Sequence, residues 1–208
     1  MLKAIVLALS LLSGAAVPLP KARVPFGAIA KLQVYTPFWD EVCTAFSINK
    51  DKGYWVTTAH CGDDLAEYYI QDEPVKVVKV WPKEDLMILE GSHVPALRVA
   101  QELPLEGTPV YKWGYGRNWP AWISEGKTTN FLILHLPGEH HMVWMLDLVI
   151  RGGDSGAPIM TYDNQVVSVA EIYWDRPPQP VAGVVKNAEG GLPTPILYEL
   201  LEPYLPTS

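Results

Sequence analysis

A serine set among glycines is the side chain of this sequence best placed to act as a nucleophile. The segment Gly152 to Pro158 reads Gly-Gly-Asp-Ser-Gly-Ala-Pro, with Ser155 at its centre. A serine hydroxyl needs a neighbouring base to react, and the oxyanion that its attack creates needs backbone N–H donors converging on one point. An open turn of small residues can aim such donors, and the amides of Gly153 and Ser155 are the candidates. Taken alone, however, Gly-Asp-Ser-Gly is an ordinary turn.

Two further residues supply what the serine lacks. His60 ends the apolar segment that begins at Trp55 and lies beside a cysteine, which is a rigid position for a general base. Asp85 directly precedes the apolar run Leu86 to Leu89, where its carboxylate could orient an imidazole and stabilise the charged form. A lone histidine is more often a core residue, and a lone aspartate is more often a cap. Together these residues predict nucleophilic acyl transfer.

Short strands, rich in Val, Ile, Tyr and Trp and separated by turn formers, must position these side chains. Six are predicted in a first lobe: Ile29 to Tyr35, Val42 to Ile48, Tyr54 to Ala59, Glu67 to Ile70, Val75 to Trp81 and Leu86 to Leu89. The proline-bearing stretch Gln101 to Pro109 is interpreted as a connection. Six more follow: Val110 to Gly114, Thr128 to Leu136, Met142 to Leu148, Pro158 to Tyr162, Val166 to Tyr173 and Val181 to Lys186. A helix begins at Pro195, with Thr194 as its cap.

At these residues the chain resembles the chymotrypsin-like (trypsin-like) serine proteases. Thr58-Ala59-His60-Cys61 resembles the family's histidine motif, Asp85-Leu86 its aspartate motif, and Gly153-Asp154-Ser155-Gly156 its nucleophile motif, in the family's order. The short spacings are similar to those of compact bacterial, phage or viral members. The resemblance implies an all-β fold of two perpendicular six-stranded β-barrels with a short C-terminal helix, and an active site in the cleft between the barrels.

The implied function is a serine endopeptidase. It would cleave protein or peptide substrates through an acyl-enzyme on Ser155, with His60 as general base and acid, Asp85 orienting it, and Gly153 and Ser155 forming the oxyanion hole. An α/β-hydrolase is disfavoured because its triad runs Ser, Asp, His. The alternative is a catalytically silent binding module with the protease fold. Cys43 lies where the family's disulfide to the cysteine after the histidine begins, so a Cys43–Cys61 bond is expected.

The sequence departs from the family around the nucleophile. No Ile-Val-Gly-Gly terminus exists to pair with Asp154, so an internal cation is expected to neutralise it, with Arg117 and Arg151 the candidates. Val149 stands where trypsin has the aspartate of its primary pocket, which predicts an apolar floor. The substrate pocket is assigned to one short set of residues: Val149, Ala170, Glu171, Ile172 and Tyr173. Glu171 falls where the family usually has a small polar residue.

Composition bounds the remaining functions. Residues 1–16 have the lysine-bearing start, apolar run and small terminal residues of a signal peptide, followed by a protease domain at 17–208. Its first barrel is expected at about 24–100, its second at about 108–190 and its helix at about 195–204. A secreted or extracytoplasmic location follows, without stable membrane insertion once the signal is removed; an uncleaved membrane anchor is the alternative. The net charge of −7 disfavours nucleic-acid binding.

Two further clusters are interpreted as structural. His135, His140 and His141 lack acidic companions at a recognisable ligand spacing, so neither a metal site nor a cofactor is predicted. The tryptophans Trp113, Trp119 and Trp122 are expected to be core and rim aromatics rather than a substrate-binding loop. The sequence does not fix the oligomeric state.

Overall fold

The computed structural model describes residues 27–116, 120–136, 139–172 and 189–207. In these ranges the chain forms thirteen β-strands and one α-helix, with two short 3-10 turns. The proposed signal segment, the predicted strand from Val181 to Lys186, and the residues Arg117, Trp119 and Tyr173 lie outside the described residues. No helix in the described ranges is both long and apolar enough to cross a membrane.

The first lobe is a closed six-stranded barrel, as predicted. Its strands are β1 Ile29–Tyr35, β2 Asp40–Asn49, β3 Tyr54–Thr57, β4 Glu67–Ile70, β5 Glu73–Trp81 and β6 Leu86–Glu90. They follow the order β1-β2-β3-β6-β5-β4, and all of the neighbouring pairs are antiparallel. Alternate side chains fill the interior, which includes the fully buried Leu32, Trp55, Ile70 and Leu89. This core fixes the end of β3 and the start of β6, and the candidate base and aspartate lie next to these two points.

The second lobe is a seven-stranded sheet rather than the expected set of six. Its strands are β7 Arg98–Val99, β8 Pro109–Tyr115, β9 Ala121–Leu136, β10 Glu139–Asp147, β11 Pro158–Thr161, β12 Gln165–Ile172 and β13 Glu189–Gly191. The order is β11-β8-β9-β10-β13-β12-β7, and β11 also pairs with β12, which curls the sheet back on itself. The added strand β7 pairs in parallel with β12 through only two residues, too short a run to be recognised by its alternation.

A shared core joins the two lobes and the helix. It contains Phe46 and Leu86 from the barrel, Tyr111 and Met160 from the second sheet, and Leu197 from the helix. The α-helix, α1, spans Thr194–Leu201. The prediction that Thr194 caps it was wrong, because the Thr194 hydroxyl instead donates to the carbonyl of Val167 on β12. The helix is therefore fastened to the second sheet by this bond as well as by its apolar face.

Candidate active site

His60 lies in a 3-10 turn, Ala59–Cys61, that follows β3. Cys61, the next residue, forms a disulfide with Cys43 on β2, and both cysteines are buried in the barrel. The expected disulfide is therefore present. It fixes the turn to a neighbouring strand directly beside the imidazole, so the histidine side chain projects from a backbone held on both sides.

Asp85 immediately precedes β6 and has a left-handed backbone with φ of 49°. Aspartate tolerates this region better than most residues other than glycine. Its carbonyl accepts from the Ala59 amide at 3.1 Å, and its carboxylate Oδ1 accepts from the His60 amide at 2.8 Å. Two backbone amides of the histidine turn thus hold the aspartate in place.

A hydrogen-bonded line connects the three candidate residues. His60 Nδ1–H donates to Asp85 Oδ2 at 2.5 Å, and Ser155 Oγ–H donates to His60 Nε2 at 2.9 Å. Because the carboxylate accepts from Nδ1, Nε2 keeps the lone pair that can remove the serine proton. The His60 side chain is 46% exposed, so the line opens to solvent and to an incoming substrate.

The nucleophile turn has backbone geometry that needs glycine. Gly153 has φ of 98° and Gly156 has φ of 81°, both in the region that side chains disfavour. A Cβ on Gly156 would overlap the Thr44 carbonyl oxygen and the Thr57 hydroxyl. Within the described part of the chain, the amides of Gly153 and Ser155 donate no hydrogen bond. The assignment of these two amides to the oxyanion hole stays a prediction.

Thr44 on β2 ties this turn to the first lobe. Its amide donates to the Ser155 carbonyl at 2.8 Å, and its hydroxyl donates to the Gly153 carbonyl at 2.9 Å. The same hydroxyl accepts from the Tyr115 amide on β8 at 2.9 Å. Thr44 is fully buried, so these bonds are shielded from water. One side chain therefore links β2, β8 and the nucleophile turn, a role that the sequence analysis missed.

Asp154 is paired with an internal cation, as expected, but the described partner is Lys112 rather than the Arg151 guanidinium. Its fully buried carboxylate accepts from the ammonium of Lys112 on β8, which is also fully buried. Arg151 contributes its backbone amide at 2.7 Å, while its guanidinium lies over the Trp122 ring. Arg117, the other candidate, lies outside the described residues.

The residues predicted for the pocket occupy different environments. Val149 is 43% exposed and its amide donates to Ser124 Oγ, whereas Ala170 is fully buried in the core of the second lobe. The Ala170 backbone is also engaged, because its amide donates to the Ala157 carbonyl at 2.9 Å and its carbonyl accepts from the Gly156 amide at 2.8 Å. The side chain of Ile172 and all of Tyr173 lie outside the description.

Glu171 lies on β12 beside the candidate triad. Its Oε1 is buried and has no hydrogen-bond partner among the described residues. Burial, followed by the charge of Asp85, raises the pKa of the Glu171 carboxyl well above its usual value. Its environment therefore favours the protonated form of the Glu171 carboxyl more than water does.

No metal-binding group of three or more His, Cys, Asp or Glu side chains occurs among the residues that the structure describes. Backbone pairing places His140 opposite His135 on β10 and β9, but the side chains of His135, His140 and His141 lie outside the description. The prediction that these three histidines do not form a metal site therefore stays a prediction.

Comparison with known proteins places this geometry in a family. Residues 43–169, more than half of the chain, match the model of the trypsin-like peptidase domain. The chain belongs to the trypsin-like peptidase family. The matched region begins at the first cysteine and includes His60, Asp85 and Ser155. No curated protein sequence matches significantly.

Solved structures agree on the fold of this peptidase. The Rv3671c protease from M. tuberculosis, in its active form, is similar with a TM-score of 0.67 and 20% identity over 99% of this chain and 96% of that one. Its inactive form gives a TM-score of 0.66 and 20% identity over 85% and 88%. The HtrA-type protease AlgW with a tripeptide gives 0.67 and 17% over 84% of this chain and 59% of AlgW. The neighbours are serine proteases with the chymotrypsin-like fold.

Sequence reasoning missed Lys112 and Trp122 as well as Thr44. Lys112 lies between Tyr111 and Trp113 in a strand, where an isolated lysine ordinarily faces solvent. The signal was the run Val110-Tyr-Lys-Trp113, which carries a single charge within an apolar strand of the lobe that contains Asp154. A lysine in such a run points to a buried carboxylate partner elsewhere in the sequence.

Proposed function

We propose that this chain is a serine endopeptidase that cleaves peptide bonds through an acyl-enzyme on Ser155. The observation that carries the proposal is the hydrogen-bonded line from Asp85 through His60 to Ser155. Family membership supports a peptidase, and the tripeptide in the AlgW structure supports a peptide ligand. The hydrogen-bonded line supports a serine-type mechanism, because it joins a candidate nucleophile, a base and a group that can orient the base.

The first half of the reaction acylates the serine. His60 Nε2 takes the Ser155 proton as Oγ bonds to the peptide carbonyl carbon, and the carbonyl π electrons move to its oxygen. The Gly153 and Ser155 amides stabilise that oxyanion. When the tetrahedral intermediate collapses, the C–N bond breaks and the imidazolium gives its proton to the leaving amine. Asp85 stays ionised throughout and stabilises the imidazolium.

The second half restores the enzyme. Water attacks the ester carbonyl while His60 takes one of its protons, which forms a second oxyanion at the same amides. The C–Oγ bond then breaks, and the imidazolium returns its proton to Ser155. The acid product leaves with the new hydroxyl oxygen, and the residues regain their starting protonation.

We further propose that the primary pocket accepts an apolar or aromatic side chain on the acyl side of the cut bond. Val149 supports this, since it is an exposed apolar residue at the position where trypsin carries an acid. A peptide-library cleavage profile should favour apolar residues there, and Val149→Asp should shift cleavage toward Arg and Lys. Wild-type cleavage after Arg or Lys would contradict this assignment.

Export to an oxidising compartment is part of the proposal. The buried Cys43–Cys61 disulfide supports it, because such bonds persist mainly outside the reducing cytosol. The mature chain should be recovered outside the cytoplasm with its amino terminus near Val17. Recovery of uncleaved chain in the membrane fraction would instead support the anchored alternative.

A fluorophosphonate probe tests the proposed reaction. Wild type should be labelled on Ser155 and should cleave a peptide ester, while Ser155→Ala and His60→Ala should lose both activities. Ser92→Ala and His93→Ala are matched controls, since these residues lie outside the line and His93 Nδ1 bonds instead with the Lys50 carbonyl. Folded wild type without Ser155-dependent labelling would overturn the proposal in favour of a silent binding module.

A further inference from the structure

A buried charged cluster lies directly behind the nucleophile. The Asp154 carboxylate accepts three hydrogen bonds: from the Lys112 ammonium, from the Arg151 amide at 2.7 Å and from Trp122 Nε1–H at 3.0 Å. Asp154 and Lys112 are both 0% exposed. Burying two charges carries a large desolvation cost, and that cost is tolerated only when the pair is closely matched and its remaining polar atoms are bonded. The Asp154 carboxylate meets both conditions, because it is paired with Lys112 and accepts two further hydrogen bonds.

The Trp122 ring contacts a second cation, the Arg151 guanidinium, in addition to the Lys112 ammonium. Lys112 Nζ lies 3.7 Å from the centroid of the Trp122 ring, and Arg151 Cζ lies 4.1 Å from it. Both contacts are within the range of cation–π attraction. The ring therefore interacts with two basic side chains, Lys112 and Arg151, while its N–H binds the Asp154 carboxylate. Strands β8 and β9 are joined to the nucleophile turn by this arrangement.

The cluster determines the shape of the turn that presents the oxyanion donors. Asp154 connects Gly153 to Ser155, and its side chain is held inward by Lys112. Its amide donates to the Arg151 carbonyl at 2.9 Å, and its own carbonyl accepts from the Ala157 amide at 2.7 Å. Among the described residues, the neighbouring Gly153 and Ser155 amides donate no hydrogen bond, which suits them to bind a substrate oxygen.

We propose that Lys112 is an internal positioning residue that holds the oxyanion-binding turn in its reactive shape, so that this peptidase needs no newly cut amino terminus. The proposal rests on the proposed function. Lys112 belongs to β8, so its ammonium is delivered by folding of the strand rather than by a cleavage event. The ion pair forms as soon as the second sheet packs.

Charge deletion gives the first test. Lys112→Met keeps the length of the side chain and removes the charge, and Lys127→Met is the matched control on an exposed lysine of β9. Lys112→Met should lower kcat for a peptide ester by about 100-fold, the scale of losing one oxyanion donor, with KM changed less than tenfold. It should also lose affinity for a peptide aldehyde, which forms a tetrahedral adduct, but not for the matching alcohol. A purely structural role would not separate the two inhibitors.

A double variant keeps the test decisive if an unpaired Asp154 prevents folding. Asp154→Asn combined with Lys112→Met removes both buried charges, and the folded double variant should retain the kcat defect. The effects of the two substitutions should not add, because each disables the same pair. Wild-type kcat in either folded variant overturns the inference.

The amino terminus gives the second test. The full chain, made by cell-free synthesis with an uncleaved N-terminal tag verified by mass spectrometry, should be labelled by fluorophosphonate without added protease. Labelling that appears only after cleavage near Arg23 overturns the inference. A wild type that is not labelled on Ser155 in any form overturns the proposed function itself, whereas a labelled wild type matched by Lys112→Met overturns only the role of Lys112.

Discussion

Different interactions hold the two sides of the candidate site in place. The base side carries His60 and Asp85, and the nucleophile side carries Ser155. On the base side, His60 follows β3 and Asp85 precedes β6, and both strands belong to a barrel with an apolar interior. The Cys43–Cys61 disulfide fixes the turn that carries His60. On the nucleophile side, Ser155 follows Asp154, whose buried carboxylate is paired with Lys112.

Because the two sides are held by different interactions, substitutions on them should change different properties: the stability on one side and the catalytic rate on the other. Apolar packing is non-directional and acts on the whole lobe, and a disulfide stabilises the lobe mainly by restricting the unfolded chain. A buried ion pair is directional and fails when either partner is removed. We therefore expect changes on the base side to appear in the free energy of unfolding unless they touch the triad, and changes behind the serine to appear in kcat.

The largest expected effect comes from the triad residue Asp85. Asp85→Asn should lower kcat by roughly 10,000-fold, because the amide would favour the wrong histidine tautomer. Steady-state kinetics on a peptide ester would measure this change, with Glu84→Gln as the control at the neighbouring acid. A loss smaller than tenfold would mean that Asp85 does not orient the imidazole.

Removing the disulfide should come next and should affect stability. Cys43→Ala with Cys61→Ala opens a loop with a sequence separation of 18 and should lower the free energy of unfolding by about 3 kcal/mol. Denaturant titration would measure the shift, while kcat of the folded variant should stay within a few-fold of wild type. Reductant should destabilise wild type similarly and leave the double variant unchanged. A 100-fold loss of kcat in the folded variant would contradict the contrast between the two sides.

A smaller effect is expected at Trp122. Trp122→Phe keeps an aromatic ring but removes the N–H that donates to Asp154, so kcat should fall roughly tenfold, as for one lost hydrogen bond to a charged group. Active-site titration followed by kinetics would measure it. Trp39→Phe, at a half-exposed tryptophan of the first lobe, is the control. Equal kinetics in the two variants would remove Trp122 from the cluster's function.

The smallest effect concerns pH and Glu171. Its raised pKa means that the folded state holds the proton at pH values where the unfolded state has released it. Folding stability should therefore decrease as pH rises from the carboxyl's ordinary pKa through its raised one. Thermal unfolding from pH 4 to 9 should show this decrease in wild type and less of it in Glu171→Gln. Parallel curves for the two proteins would contradict it.

Local patterns were enough to predict the disulfide and the first barrel, and to select three residues that the structure brings into one hydrogen-bonded line. The catalytic role of those residues stays a prediction. His60, Asp85 and Ser155 each lie in a short motif whose spacing is visible along the chain. Lys112 could not be paired with Asp154 in this way, because the two are brought together only by the packing of β8 beside the nucleophile turn. The short strands β7 and β13 offered two and three residues, too few for a period to be recognised.

The hydrogen bonds of Thr44 also indicate when, during synthesis and folding, the candidate active site can form. Thr44 precedes Gly153 by 109 residues, and its hydroxyl holds the Gly153 carbonyl only after both lobes have folded and docked. The Gly156 amide further requires the carbonyl of Ala170, which is synthesised later still. A fragment of one lobe therefore lacks part of the candidate triad, and an unfolded chain carries all three side chains without their alignment. Peptide cleavage by the proposed mechanism therefore requires that both lobes have folded and docked.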